Sequence, residues 1–415
     1  MLGARWEPVL DGPLAAEAWT AFREIADALA PSPALAANAR ELALFWAYAA
    51  GASADDVTAA RHDTAIEQLV SAIEAGVSGV SLYVGLAGAG WVMAHVADDS
   101  ARDFLVQVDD ALTAELDVER WPGDYDLIKG LVGVGVYFIE RLRAGRPAAA
   151  ARGLARVVDH LARLGEVAGD GTTWHTAPAL LPSWQRAEAP DGYYNCGVAH
   201  GVPGVIALLG HAAAADGLDG EPRRRARELG ERASRWLQAQ QLPADPRGRF
   251  PLWVGSGHAA SRARTAWCYG DPGVAAAAWC AAGRLGTPTR DAEALARACA
   301  SREPALCGVR DAGLCHGARG LAHLHNRFFQ ASRDPVFRDA ARAWFARGLA
   351  MRRPGEGIAG FFAVEGEDAR QKADPGFLEG AAGIGLALLA GLVPSEPGWD
   401  RLLLCDVPPA ETASR

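Results

Sequence analysis

No stretch of this chain approaches the roughly 18 to 20 uninterrupted apolar residues that a membrane helix needs. The opening residues, MLGARWEPVLDG, contain no apolar core of the kind a secretory signal requires, so none is expected. Long runs of basic residues are also missing. With a formal net charge of −9, that argues against nucleic-acid binding. The arginines are dispersed instead, as in RPAAAARGLARVVDHLARLG (146–165), where they read as the solvated face of an amphipathic helix. Cysteines number seven, at 196, 268, 280, 299, 307, 315 and 405, too scattered and too odd in number for a disulfide framework. Their pattern suits a reducing, cytoplasmic compartment. The helical HExxH signature of a zinc hydrolase is absent, and Asp126 is the only carboxylate candidate for such chemistry. GLAGAG (85–90) and GLVGVG (130–135) have the order GxxGxG, not GxGxxG, and neither follows an expected strand, which excludes a dinucleotide loop.

What the chain does contain is a signature repeated six times, Gly-x-x-Gly followed by an apolar run. It reads VGLAG, KGLVG, HGVPG, YGDPG, HGARG and EGAAG, with first glycines at 85, 130, 201, 270, 317 and 380. Those glycines step by 45, 71, 69, 47 and 63 residues, a period that marks one repeated supersecondary unit. The segments after each copy, such as LVGVGVYFIERL (131–142) and VAAAAWCAAGRL (274–285), are apolar nearly all round, as interior helices are. Between them lie amphipathic segments rich in Arg and Glu, at 63–75, 100–116, 149–165, 221–240, 289–300 and 334–351.

Half of the 415 residues are hydrophobic, enough for a large core. Alternating inner and outer helices bury the inner set completely only by curving round, and the inner helices lack the polar caps of an open array. The expectation is therefore an all-α fold, a closed α/α toroid of six inner and six outer helices spanning 61–400. Residues 1–60 should add two helices, 12–29 and 34–50, packed outside the barrel, and 401–415 should form a C-terminal tail. Two irregular stretches, 166–198 and 241–267, are long for loops without a function and should line one mouth of the barrel. Asp271-Pro272 fits an N-cap followed by a first-turn proline.

If every inner helix starts at the same end, the residues just before each Gly-x-x-Gly meet at one rim. They include Asp126, His200, Cys268, Cys315 and His316. Two thiolates and one imidazole suit Zn²⁺, and three protein ligands leave a fourth tetrahedral position open, as in catalytic zinc sites. His200 is either a fourth ligand, which would close the site, or an unligated acid or base; the second reading preserves catalysis. Asp126 also reads as a helix N-cap, and Arg264 as a surface residue whose cation could stabilise a developing anion. Cys280, Cys299, Cys307 and Cys405 read as small buried hydrophobes. His323 and His325 read as packing or solvent-facing residues, and His95, His175 and His211 receive no role.

The motifs YDLIKGLVG, YNCGVAHGVPG, RTAWCYGDPG and LCHGARG resemble those of the lantibiotic cyclases, the LanC-like family, over about residues 60–395. WCYGDPG followed by CHGxxG is the specific pairing. The resemblance implies an α/α toroid with one zinc ion on Cys268, Cys315 and His316, and with Asp126, His200, Arg264 and Tyr269 as active-site residues. It implies a cytoplasmic cyclase that forms (methyl)lanthionine rings by adding cysteine thiols to dehydroalanine or dehydrobutyrine in a precursor peptide of leader plus core. A separate dehydratase would be its partner, in a complex that can sit at a membrane periphery. Some family members carry a substrate-contacting insertion, which these motifs do not identify here. Two further readings use the same site: addition of glutathione to dehydroamino acids, and a zinc hydrolase on the same toroid. A helical scaffold without catalysis is the reading that loss of a zinc ligand would favour.

Overall fold

The computed structural model describes residues 6–408 apart from 54, 146, 256, 258, 259 and 367; of the expected tail, 409–415 lie outside the described residues. Fifteen α-helices occur among the described residues. The first five are α1 (Gly12–Ala28), α2 (Ala39–Ala52), α3 (Asp56–Glu74), α4 (Leu86–Val96) and α5 (Arg102–Glu115). They are followed by α6 (Leu131–Gly145), α7 (Ala148–Leu164), α8 (Ser183–Glu188), α9 (Val202–Ala214) and α10 (Gly220–Gln238). The last are α11 (Asp271–Leu285), α12 (Arg290–Ala300), α13 (Ala318–Ser332), α14 (Pro335–Ala350) and α15 (Ala381–Leu392). The strands form three two-stranded antiparallel ribbons.

Each Gly-x-x-Gly opens one of α4, α6, α9, α11, α13 and α15, which pack side by side as inner helices of an α/α toroid. Helices α5, α7, α10, α12 and α14 lie on the inner helices that precede them. Between α15 and α4 the ring closes through α2, which packs against both, while α3 lies on α2 and α1 on α15. The helices expected to pack outside the barrel thus supply a seventh inner helix and an outer one. The sequence of α2 explains it, since Leu42, Ala43, Leu44, Phe45, Trp46 and Ala49 are all buried.

The repeated glycines answer to close approach. A methyl group on the second glycine of any copy (Gly88, Gly133, Gly204, Gly273, Gly320 or Gly383) would collide with the carbonyl oxygen of the residue six positions earlier. That earlier residue is Leu82, Leu127, Val198, Trp267, Leu314 or Phe377, buried in every copy. The chain therefore doubles back under each helix start. In doing so it satisfies helix N–H groups that would otherwise lack partners. The amide of the first helical residue donates to the carbonyl seven positions back: Leu86 to Gly79, Leu131 to Asp124, Ala318 to Asp311 and Ala381 to Asp374, at 2.8–3.2 Å. In four copies an Asx turn begins the motif, with Oδ1 of Asp124, Asn195, Asp311 and Asp374 each accepting the amide two residues on. The fourth copy has Arg264 in that position. Its Gly270 adopts φ +91, a conformation L residues rarely tolerate.

The two irregular stretches pair with each other. Residues Tyr194–Asn195 hydrogen-bond antiparallel to Trp253–Val254, and a hairpin of Glu166–Ala168 with Gly171–Thr173 precedes α8. Asp271 does not cap α11, whose N-cap is Gly270. Its buried carboxylate instead accepts the amides of Arg249 (2.9 Å) and Phe250 (3.1 Å) and pairs with Arg302 at 2.5 Å, fastening the 241–267 stretch to the helix start.

The expected tail is, through Val407, a buried plug. The Tyr83 hydroxyl and Trp267 Nε1 donate to the Leu402 and Leu403 carbonyls, and Asp400 and Asp406 pair with Arg327 and Arg284 of inner helices. Arg401 pairs with Glu140 of α6. Among the described residues no helix is long and apolar enough to cross a membrane.

Candidate functional site

The shared turn places one side chain per repeat at the same height of the rim, the residue just before the first glycine. Those residues are Val84, Lys129, His200, Tyr269, His316 and Glu379. All but Val84 line one cavity of about 530 Å³ at the N-terminal ends of the inner helices. Cys268 and Cys315, one position earlier in their copies, line it too, as does Arg264. Asp126 stands behind His200, only 1% exposed.

Cys268, Cys315 and His316 each offer a ligand atom within 4.8 Å of the others. Neighbouring backbones are tied as well: the Cys268 amide donates to the Cys315 carbonyl (3.2 Å), and the Cys315 amide to that of Leu378 (2.8 Å). A hydrogen bond from the Cys315 thiol, outweighing burial and aided by His316 and Arg264, holds the Cys268 thiol well below its usual range. The same shared proton, with burial, raises Cys315. The His316 ring, which burial would lower, is raised by its hydrogen bond with Cys268. Asp311 Oδ2 lies 3.7 Å from His316 Nε2, and Glu379 Oε1 lies 3.9 Å from Nδ1. Two thiols and an imidazole, partly open to a cavity, fit one borderline-soft metal ion with a coordination position left over.

His200 faces that cavity with a side chain 40% exposed, and its Nδ1 lies 2.5 Å from Asp126 Oδ2. The other Asp126 oxygen accepts the Lys129 amide at 2.6 Å, so the N-cap-like role and the histidine-orienting role coexist in one carboxylate. Because Nδ1 is engaged, Nε2 is the nitrogen free for chemistry. Burial would lower the imidazole pKa, but the hydrogen bond and charge of Asp126, joined by Asp124, raise it above its usual value. Burial, then the Asp126 charge, push Asp124 up to about 6.

The Tyr269 hydroxyl accepts from Asn195 Nδ2 at 3.0 Å, leaving its own hydrogen to donate, and its ring centroid lies 6.4 Å from that of His200. Burial keeps the phenol protonated. Arg264 is exposed at the cavity, released from the turn-forming role that Asp or Asn plays in four other copies. Lys129, Glu379 and Asp124 are cavity residues that the motif chemistry passes over. Lys129 and Glu379 occupy the same rim position as His200 and His316, so the repeat register is the signal that finds them.

The remaining candidates sit elsewhere. Cys280, Cys299, Cys307 and Cys405 are buried, and burial pushes the Cys280 thiol up to about 12. His323 and His325 are buried rather than exposed. A second close trio, His323, Asp400 and Cys405, is fully buried, but Arg327 already occupies both Asp400 oxygens, at 2.5 and 2.8 Å. That cluster is an ion-pair network, not an open site. His95 is engaged by Tyr48 and Glu140, His175 by the Asp191 carbonyl, and His211 lies against Asp406.

No curated protein matches the chain in sequence. Among solved structures, a nisin cyclase shares the fold with a TM-score of 0.71 and 21% identity, over 88% of this chain and 90% of that one. A cellobiose 2-epimerase from Spirochaeta thermophila is far less similar, with a TM-score of 0.41 at 12% identity, over 88% of this chain and 86% of that one. The family described as lanthionine synthetase C-like protein matches residues 42–404, from α2 to the buried C-terminal plug. The chain belongs to the lanthionine synthetase C-like family.

Proposed function

We propose that this protein is a zinc-dependent cyclase that closes thioether rings in a dehydrated precursor peptide. The thiol of a peptide cysteine adds to the β-carbon of a dehydroalanine or dehydrobutyrine in the same chain. The observation that carries the reading is one cavity with a two-thiol, one-imidazole trio and a carboxylate-backed histidine on its walls.

A free thiol, with a pKa near 8.5, is mostly protonated at neutral pH. Zinc held by Cys268, Cys315 and His316, with its fourth position open, would supply the lowered pKa that makes the substrate sulfur a nucleophile. The protein's own groups do the rest. As the carbon–sulfur bond forms, charge moves to the carbonyl oxygen of the dehydro residue. The Arg264 cation and the free Tyr269 O–H are donors for that enolate. His200 delivers a proton from Nε2 to the α-carbon, while Asp126 holds Nδ1 and favours the charged imidazole. The proton lost at sulfur balances the one gained at carbon, so the product has the substrate's mass.

The test follows from that balance. A dehydrated cysteine-containing peptide incubated with the protein should keep its mass and lose its alkylatable thiols, read by mass spectrometry after thiol alkylation. The purified protein should hold about one zinc, and Cys315→Ala should lose it. His200→Ala should keep the metal and lose ring closure. Thiols that remain fully alkylatable with zinc-loaded wild-type protein would overturn the reading.

A further inference from the structure

We infer that α8 and the loop leading into it form the substrate-recognition wall of this cavity, with Trp184 seating an apolar side chain adjacent to the reacting cysteine of the peptide. The inference rests on the cyclase reading above and adds what that reading leaves open, the residue class that the site selects.

The cavity that holds the thiols and His200 is also lined by Leu180, Leu181, Pro182 and Trp184. At about 530 Å³ it is of the size that engulfs a drug-sized molecule, and a lone cysteine side chain would leave most of it empty. Residues flanking the cysteine must therefore enter with it. Trp184 is 61% exposed and is the only aromatic among the described exposed large hydrophobic residues. A tryptophan left in water beside a reaction site offers a large apolar face to whatever enters.

That wall is also held in place. Arg186 donates from Nε to the Pro178 carbonyl and from Nη2 to the Leu181 carbonyl, both at 2.9 Å, which fixes the loop against α8. The Tyr193 hydroxyl donates to Gln185 Oε1 at 3.2 Å, and the Tyr193 ring stacks on Trp253 at 5.0 Å and 10°. Leu181, Ala189 and Tyr193 form a small apolar cluster of their own, separate from the core of the ring. The Trp184 ring is thus carried on an element ordered before substrate arrives, so little conformational freedom is lost when a side chain packs on it. An aromatic wall of this kind suits a peptide with an aliphatic or aromatic residue beside its cysteine and has little to offer glutathione, whose cysteine is flanked by glutamyl and glycyl groups.

The experiment compares wild type, Trp184→Ala and Trp184→Phe on two dehydrated peptides that differ only in the residue next to cysteine, Phe or Asp. For the Phe peptide Trp184→Ala should raise KM about tenfold with kcat little changed, as loss of one aromatic anchor does, and Trp184→Phe should recover most of it. The preference for Phe over Asp should shrink by the same factor. Addition of N-acetylcysteine methyl ester to N-acetyl-dehydroalanine methyl ester should be unaffected, because no flanking residue is present. Unchanged KM and preference in Trp184→Ala, or an equal loss with the small thiol, would overturn the inference. Calorimetric binding of the two peptides before dehydration reads the contact without any reaction. There, a Phe-over-Asp preference that Trp184→Ala abolishes supports the wall even if wild type closes no ring, and its persistence counts against it.

Discussion

Asp126 has two occupations that a sequence motif alone presents as rivals. One oxygen holds the Lys129 amide at the helix approach and the other holds His200 Nδ1. Substituting Asn keeps an acceptor for the backbone and removes the charge, so the turn should survive while the histidine changes. In the native site burial is outweighed by Asp126, and His200 stays protonated to higher pH than usual. A general acid loses activity as pH rises through its pKa. Without the Asp126 charge the burial contribution dominates and that pKa falls. Asp126→Asn should therefore move the alkaline limb of the pH–rate profile to lower pH and cut ring closure at pH 7.5 by about 100-fold or more. Zinc content should be unchanged. Profiles measured from pH 5.5 to 9 check this, and an alkaline limb that does not move would remove Asp126 from its positioning role.

Each helix-start element is a ten-residue unit in which the second glycine lies against the carbonyl six residues before it. Gly320 does so with Leu314, the residue preceding Cys315. In Gly320→Ala the added methyl must displace that carbonyl, and Cys315 and His316 move with it. Backbone crowding of this sort should lower stability by about 2 kcal/mol or more and weaken zinc retention against a chelator. Gly51→Ala, in the last turn of α2 with open space around its Cβ position, is the control and should be neutral or slightly stabilising. The two variants are compared by urea unfolding and by zinc release. Equal midpoints would mean that these glycines are not required for close approach. This locality is why the helix starts were legible in the sequence: cause and collision lie within one motif. The same register makes the rim residues legible, Glu379 and Lys129 included, once position is weighed as heavily as side-chain chemistry. Asp271 was not legible, because its carboxylate serves amides 21 and 22 residues earlier and a guanidinium 31 residues later, and nothing local distinguishes it from an N-cap.

At the scale of the whole molecule, the toroid was legible from its six Gly-x-x-Gly helices, but the seventh inner helix and the way the ring closes were not. The α2 helix carries no Gly-x-x-Gly, and its burial between α15 and α4 is a property of the finished ring. The plug is equally non-local. Arg284, Arg327 and Glu140 look like solvated charges in their helices until residues 400–406 arrive to pair with them. Asp406 meets Arg284 at 2.6 Å and His211 at 3.0 Å, and its side chain is only 7% exposed. Asp406→Asn leaves the Arg284 cation buried without its counter-charge, which should cost about 3 kcal/mol in unfolding free energy. Zinc bound by the proposed Cys268–Cys315–His316 set, at the opposite ends of the inner helices, should be retained below the melting temperature. The pH dependence has a definite sign. Burial alone would raise the Asp406 carboxyl, but the Arg284 charge and the His211 ring hold it well below the 3.8 of an ordinary aspartate. A depressed carboxyl contributes fully above its unfolded pKa, and the contribution is lost as pH falls through the folded value. The stability difference between wild type and Asp406→Asn should therefore stay level from pH 8 to 5 and narrow only below about pH 4. Urea midpoints across that range measure it. A gap that widens already between pH 7 and 6, as an imidazole gains its proton, would mean that the plug is held by imidazole charge and not by the Arg284–Asp406 pair.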